Sequence, residues 1–326
     1  MQEGSEQHLT YLLLLVGFAL LIKGADFFVE GASKIAQSLR VSPLLIGLTI
    51  VAFGTSAPEA SVSFIAAFEG SSDVAIGNVV GSNIFNITLI LGVTALVFPL
   101  VVQSETIRKE IPFALLGAVA LLLLISDIQL QSAGSNLITR TEGIMLLLFF
   151  AVFLYYIFEV ARKDRLNTEE NPADTANVSR VKNSLLTIGG LAGIIFGGSL
   201  VVENSIQIAL SLGMSETLVG LTIVAVGTSL PELVTSVTAA LKKQVDIALG
   251  NIIGSNIFNI FFILGTSATI HPLTVDSKIF SDVWLMIAVT VLLMILARTK
   301  YTISKMEGSV LAVIYIVYVV YIILRN

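Results

Sequence analysis

Residues 47–93 read GLTIVAFGTSAPEASVSFIAAFEGSSDVAIGNVVGSNIFNITLILGV, and residues 220–266 read GLTIVAVGTSLPELVTSVTAALKKQVDIALGNIIGSNIFNIFFILGT. At a constant offset of 173 positions, 28 of the 47 aligned pairs are identical and no gap is needed. Each copy places a carboxylate, an asparagine and several hydroxyls in otherwise apolar sequence. Such groups are costly inside a bilayer and therefore indicate a functional site. The duplication predicts one ion site built from two half-sites.

The composition is that of a membrane protein. The 326 residues are 55% hydrophobic and 13% charged, and the mean hydropathy is +0.92. Soluble domains carry roughly 25% charged residues, so we expect an all-α polytopic protein whose surroundings are the lipid bilayer. The net charge of −5 gives no indication of nucleic-acid binding. The absence of cysteine excludes disulfides, thiolate metal sites and cysteine catalysis.

The apolar stretches predict ten transmembrane helices, because a spanning helix needs about 20 mainly apolar residues. They lie at residues 10–35, 43–68, 73–97, 109–126, 141–161, 184–209, 215–240, 246–269, 280–298 and 306–324. With the amino terminus outside, fourteen Lys and Arg residues fall on the inside, and only Arg140, Lys278 and Arg325 fall outside. The positive-inside rule therefore predicts a multi-pass protein of the cell membrane with both termini extracytosolic.

A polar segment at residues 162–183 divides the chain into two halves, 1–161 and 184–326. We interpret the segment as a flexible cytosolic linker, because it has mixed charge and no apolar periodicity. Each half holds five predicted helices, so helices 2 and 7 enter the membrane in opposite directions. This is the pattern of an inverted-topology repeat, which is typical of transporters.

The motif Gly54-Thr55-Ser56-Ala57-Pro58-Glu59 predicts that helix 2 is broken near mid-membrane. Pro58 cannot donate to the carbonyl four residues back, so we expect free carbonyls around Ala52 to Thr55. Carbonyl, hydroxyl and carboxylate oxygens are the ligands that hard cations require. Helix 7 repeats the arrangement with Gly227, Thr228, Ser229, Pro231 and Glu232. A plain proline kink is the alternative, but a kink does not require an adjacent acid in both copies.

The second motif of each copy, GSNIFN, supplies further polar groups. Ser82 and Asn86 are four residues apart and share a helix face, and Ser255 and Asn259 repeat them. We interpret these four residues as ligands, although helix packing and cross-linking are the alternative. For four other asparagines we expect structural hydrogen bonds: Asn78, Asn83, Asn251 and Asn256.

Two carboxylates bring a charge of −2 into one pocket, which a divalent cation neutralises. Calcium takes six to eight oxygens at about 2.3–2.6 Å in flexible geometry, which fits this set better than magnesium. No histidine or cysteine stands in either motif for a transition metal. Several sodium ions could fill the same oxygens, and protons could compete for the carboxylates. We expect no cofactor, no obligate protein partner and no enzyme activity, because a water-accessible nucleophile and base are lacking.

The pairs GTSAPE/GTSLPE and GSNIFN/GSNIFN closely resemble the motifs of the cation/calcium exchanger superfamily, and the match extends over both repeats. The resemblance implies that Glu59 and Glu232 are the central acidic ligands of calcium and sodium, with oxygens of Thr55 and Thr228 beside them. Asn86 and Asn259 occupy the remaining positions of that site. The implied flanking sodium ligands are Ser56, Ser82, Ser229, Ser255 and the carbonyls of Ala52 and Ala225.

The resemblance also implies a mechanism, in which helices 1 and 6 slide across the core to alternate access. Some relatives carry Asp at the position of Asn259, so a potassium requirement is not expected here. The proton-coupled branch carries a further glutamate near the positions of Val80 and Ile253, which favours sodium. The predicted function is sodium/calcium antiport that exports calcium. Proton/calcium antiport at the same site is the nearest alternative, and a cation channel fits less well.

Overall fold

The structure is a computed structural model that describes residues 2–132, 134–167, 179–212 and 225–325, and these residues are mostly helical. The helices of the first half are α1 (Gln2–Leu39), α2 (Pro43–Thr55), α3 (Ala57–Phe68), α4 (Ser72–Val97), α5 (Ser104–Arg108), α6 (Glu110–Leu124), α7 (Asp127–Gln131) and α8 (Arg140–Asn167). Those of the second half are α9 (Arg180–Ser211), α10 (Ala225–Gly227), α11 (Leu230–Leu241), α12 (Val245–Ile270), α13 (Lys278–Lys300) and α14 (Lys305–Arg325). Four short strands are β1 (Leu100–Val101), β2 (Leu137–Ile138), β3 (Leu273–Thr274) and β4 (Thr302–Ile303).

Among these residues, seven helices have the length and apolar composition needed to cross a membrane: α1, α4, α8, α9, α12, α13 and α14. The bent pair α2 and α3 would make an eighth. The predicted fourth helix is the shorter α6, of 15 residues, preceded by the separate turn α5. The first part of the predicted seventh helix, at 215–224, lies outside the described residues. The apolar helices make the chain a multi-pass membrane protein.

Helix 2 is broken where the proline motif predicts. The axes of α2 and α3 differ by 49°, and Ser56 is the residue between them. Pro58 stands in the first turn of α3, where the missing N–H is tolerated. The expectation that the Ala52 carbonyl is free is wrong, because it accepts the Ser56 N–H at 3.0 Å. Its second lone pair still leaves it able to contact an ion.

Within the described residues, three stretches are wound as π-helix, which the sequence did not predict. They are Gly47–Val51 in α2, Asn86–Ile90 in α4 and Asn259–Leu264 in α12. The last two begin at the two asparagines that were singled out as ligands. π-Segments are rare and occur frequently at functional sites. Their position at the equivalent residues Asn86 and Asn259 therefore marks this part of α4 and α12 as a candidate functional site.

The segment at 162–183 is helical at both ends. Helix α8 continues to Asn167, and α9 begins at Arg180. Residues 168–178, which make up the middle of the predicted flexible linker, lie outside the described residues. Residues 162–167 and 180–183 are therefore helical, whereas their polar composition predicts a flexible segment.

Helices α4 and α12 form the centre of the fold, and residues 247–258 of α12 are buried without exception. The long helices α1 and α9 pack against each other at one side through glycines. A Cβ at Gly24 would stand 2.7 Å from the Ile194 nitrogen, and one at Gly190 would stand 2.5 Å from the Phe28 nitrogen. Only glycine permits this approach of the two backbones.

The two halves also contact each other through two strand pairs, to each of which both halves contribute one strand. Strand β1 of the first half pairs with β4 of the second, and β2 pairs with β3, both antiparallel. A Cβ at Gly92 would lie 2.6 Å from the Gly308 carbonyl oxygen, and one at Gly143 would lie 2.7 Å from that of Gly265. These exchanged contacts hold the duplicated segments in one body.

Candidate ion-binding site

The two glutamates lie at the breaks in the helices. Glu59 stands in the first turn of α3 and Glu232 in the first turn of α11, and each is only 1% exposed. A carboxylate is favoured in the first turn, because the N-terminal end of a helix carries partial positive charge. The proline that breaks each helix therefore also creates the local field that accommodates the acid beside it.

Each glutamate is held by a serine of the other half. Ser56 Oγ lies 2.8 Å from Glu232 Oε1 and 3.0 Å from Ser255 Oγ. Because a hydroxyl carries one proton, Ser56 donates it to the carboxylate and can accept from Ser255. The predicted half-sites are thus joined by direct bonds.

The reciprocal arrangement surrounds the other acid. Ser229 Oγ lies 2.7 Å from Glu59 Oε1 and 3.1 Å from Ser82 Oγ. All four serines are buried. The structure therefore brings the predicted glutamates and serines of both copies into one cluster.

Four oxygens of the predicted ligand residues have no hydrogen-bond partner among the described residues. They are Oε2 of Glu59 and Glu232 and Oδ1 of Asn86 and Asn259, and all four are buried. Buried polar atoms are nearly always paired, so each exception needs an explanation. Two carboxylate and two amide oxygens, all acceptors and contributed equally by both halves, are suited to a bound cation.

The asparagines bridge α4 and α12. Asn86 Nδ2 donates to Asn256 Oδ1 at 3.0 Å, and Asn259 Nδ2 donates to Asn83 Oδ1 at 3.0 Å. Asn83 Nδ2 donates to the Asn256 carbonyl at 3.2 Å. The structural role predicted for Asn83 and Asn256 is confirmed by these bonds.

Asn78 performs a similar task behind Glu59. Its Nδ2 donates to the Glu59 carbonyl at 3.0 Å and to Ser63 Oγ at 2.9 Å. Its Oδ1 lies 3.5 Å from the hydroxyl of Thr228 in the other half. The structural role predicted for Asn78 is confirmed, and the Thr228 hydroxyl takes part in holding the break.

The mirror-image contacts stand behind Glu232. Asn251 Nδ2 donates to Ser236 Oγ at 2.9 Å and lies 3.4 Å from the Glu232 carbonyl, while Thr55 Oγ1 lies 3.0 Å from Asn251 Oδ1. Sequence reasoning overlooked Ser63 and Ser236, although they are identical at the repeat offset. Within residues 60–65 and 233–238 this serine is the single identity between the copies, and that identity was the available signal.

The two glutamates are the charged groups of the predicted ligand set. Neither Glu59 nor Glu232 forms an ion pair within the described part of the chain. Over the same residues, no group of three or more His, Asp and Glu side chains is placed to hold a metal. The backbone of Ala52 lies at the end of the π-segment in α2, and Ala225 begins α10.

The family model described as sodium/calcium exchanger protein matches residues 9–159 and 182–324. The chain belongs to the sodium/calcium exchanger family. The matched ranges contain both motif pairs and leave out most of the polar segment between the halves. The superfamily resemblance seen in the motifs is thereby confirmed.

Relatives of this exchanger match it over nearly its whole length. It is 43% identical over 308 residues to CaxA of Alkalimonas amylolytica, which covers 92% of this chain and 94% of that protein. It is 36% identical over 335 residues to the sodium/calcium exchanger MaX1 of Methanosarcina acetivorans, with 94% and 96% covered. A structure of the sodium-calcium exchanger NCX_Mj, soaked with 10 mM Na+ and zero Ca2+, superposes with a TM-score of 0.83 at 32% identity and covers 96% of this chain and 99% of that one.

Proposed function

We propose that this exchanger is a secondary active antiporter that moves calcium against sodium by alternating access. The observation that carries the proposal is the set of four buried acceptor oxygens on Glu59, Glu232, Asn86 and Asn259 that have no partner among the described residues. Calcium is bound by oxygen ligands in flexible geometry. The two glutamates, without a neighbouring cation, supply the two negative charges that balance it.

Sodium ions occupy the same acids and the flanking oxygens. Ser56 and Ser255 contact each other beside Glu232, and Ser229 and Ser82 contact each other beside Glu59. The carbonyls of Ala52 and Ala225 and the oxygens of Thr55 and Thr228 complete the set that the family resemblance implies. Transport is electrogenic if three or more sodium ions move for each calcium.

The membrane arrangement that we propose is ten helices in two inverted five-helix repeats, with the second helix of each repeat broken. The bonds Ser56–Glu232 and Ser229–Glu59 are equivalent to each other, because the repeat offset of 173 relates Ser56 to Ser229 and Glu59 to Glu232. In both copies a proline-broken helix precedes a buried helix whose π-segment begins at an asparagine. This equivalence supports a pair of repeats around one site.

The helix ends that lie together support the proposed orientation of the chain in the membrane. Arg165 Nε donates to the Leu39 carbonyl at 3.0 Å, so the carboxyl ends of α8 and α1 lie together. Arg325 contacts the Lys278 carbonyl at 3.2 Å, so the end of α14 lies beside the start of α13. Arg165, at the carboxyl end of α8, belongs to the larger group of basic residues that is predicted on the inside. The carboxyl ends of α1 and α8 are therefore assigned to the cytosol. Both termini are then extracytosolic and the membrane is the cell membrane.

Alternating access would use the sliding of α1 and α9 that the family resemblance implies. At Gly24 and Gly190 the backbones of the two helices approach so closely that no Cβ fits between them. Such close packing holds the two helices together, so that they move as one unit across the core. The usual inward sodium gradient makes calcium export the physiological direction.

Uptake of radiolabelled calcium into liposomes containing the purified protein tests the coupling ion. One sample receives an outward sodium gradient, a second an outward proton gradient, and a third no gradient other than that of calcium. The proposal expects uptake above the third sample only with sodium. Uptake driven by protons alone would select proton/calcium antiport at the same carboxylates, and equal uptake in all three would indicate a channel.

A further inference from the structure

We infer that Asn83 is a positioning residue, which aims the Asn259 oxygen into the ion site without itself binding the ion. The inference rests on the proposed function, because it concerns the orientation of a proposed ligand. Asn83 and Asn259 lie on different helices of different halves, and both are buried. Their side chains are joined by the 3.0 Å bond from Asn259 Nδ2 to Asn83 Oδ1.

The direction of this bond is fixed by the backbone. Asn83 Nδ2 donates to the Asn256 carbonyl at 3.2 Å, and a carbonyl oxygen can only accept. If the Asn83 amide were flipped, its oxygen would face that carbonyl oxygen. The backbone of α12 therefore fixes Asn83 with its own oxygen toward Asn259.

Asn259 then has one orientation left. Its Nδ2 must face Asn83 Oδ1, because a flipped amide would oppose two oxygens in a buried place. The amide group is planar, so fixing Nδ2 also fixes Oδ1. That oxygen is the one with no partner among the described residues. A carboxylate at position 259 could not donate the bond, so the network matches the amide that this chain carries.

The related contact in the other direction has the same form. Asn86 Nδ2 donates to Asn256 Oδ1 at 3.0 Å, and Asn86 Oδ1 is likewise left without a partner in the described chain. Each proposed amide ligand is thus oriented by an asparagine of the opposite half. The orientation of Asn83 is determined by the backbone carbonyl of Asn256.

A double-mutant cycle on calcium binding tests the inference. The dissociation constant is measured by titration calorimetry on the purified full-length protein for the wild type, Asn259→Ala, Asn83→Leu and the double variant. We expect each single substitution to weaken calcium binding at least tenfold, and the double variant to bind like Asn259→Ala alone. Residues that act through one another deviate from additivity in this way. Asn204→Leu controls for the loss of a buried amide and is expected to bind calcium as the wild type does. Asn204 is a buried asparagine of α9, and within the described part of the chain its Nδ2 donates to the Leu200 carbonyl of the same helix.

The outcomes separate the inference from the function on which it rests. Wild-type binding by Asn83→Leu together with weakened binding by Asn259→Ala overturns the positioning role and leaves the ligand set standing. A double variant whose loss of calcium affinity equals the product of the two single losses also overturns the positioning role and leaves the ligand set standing. Wild-type binding by Asn259→Ala removes the proposed ligand and the inference with it. If Asn83→Leu is not recovered as a folded protein by its thermal unfolding, Asn83→Ala takes its place in the same cycle.

Discussion

Glu232→Gln should be poorly tolerated by the ion site. The variant keeps an oxygen in place to accept the bond from Ser56, which lies 2.8 Å from Glu232 Oε1 in the wild type. It converts the other oxygen, the unpartnered Oε2, into an amide NH2 that points donor hydrogens at the ion. The change therefore removes half of the site charge with little change in shape.

The expected loss follows from Coulomb's law. Two unit charges about 4 Å apart interact by roughly 4 kcal/mol at an effective dielectric constant of about 20. Counting calcium as a single charge makes this a conservative figure. Since 1.4 kcal/mol is a factor of ten, the loss is on the order of a thousandfold in calcium affinity. Glu59→Gln should lose the same amount, because its surroundings repeat those of Glu232.

The assay is calcium binding by titration calorimetry, supported by calcium uptake into liposomes. Glu110→Gln is a matched control, because Glu110 is also buried, is bonded through Oε1 to Tyr156 and has an unpartnered Oε2 within the described residues. It stands at the start of α6, outside the cluster, and should leave calcium affinity within about threefold of the wild type, a difference of about 0.65 kcal/mol. If either site variant also remained within that range, the assignment of the glutamates as ligands would be refuted.

Three further substitutions test other parts of the account. Ser56→Ala removes a hydrogen bond to a carboxylate, worth about 1.5–3 kcal/mol, and should raise the half-saturating sodium concentration about tenfold or more in transport assays, with a smaller effect on calcium. Gly190→Ala would place a Cβ 2.5 Å from a backbone nitrogen of α1, so uptake should fall severalfold, whereas Gly189→Ala, with no neighbour within 4 Å of its Cβ, should transport as the wild type does. Arg325→Gln removes the partner of the buried Asp282 carboxylate, which it contacts at 2.9 and 3.0 Å, and should lower the free energy of unfolding by about 3 kcal/mol; an unchanged unfolding temperature would contradict this.

Much of the site could be predicted because the duplication is so strict. Identity at a fixed offset singles out Glu59 and Glu232, and the chemistry of proline locates the break beside each of them. The asparagines were separated into two groups by the same reading, and the hydrogen bonds of Asn83 and Asn256 agree with it. Local chemistry of this kind depends on a few neighbouring residues and is therefore visible in the sequence.

What could not be predicted depends on how the two copies pack together. The sequence places Ser56 three residues from Glu59, yet its bond is to Glu232 of the other half. The π-segments that begin at Asn86 and Asn259 have no distinctive amino-acid composition, because they arise from the packing of α4 and α12. The short strands β1 to β4 were missed for the same reason, since each pair joins residues of the two different halves.

The number of calcium ions bound per chain tests the central claim most directly, namely that two half-sites form one ion site. Titration calorimetry of the wild type, Glu59→Gln and Glu232→Gln at a measured protein concentration gives this number. We predict one calcium ion per wild-type chain and the loss of that same ion in either variant. Two calcium ions per wild-type chain, with one retained in each variant, would contradict the account.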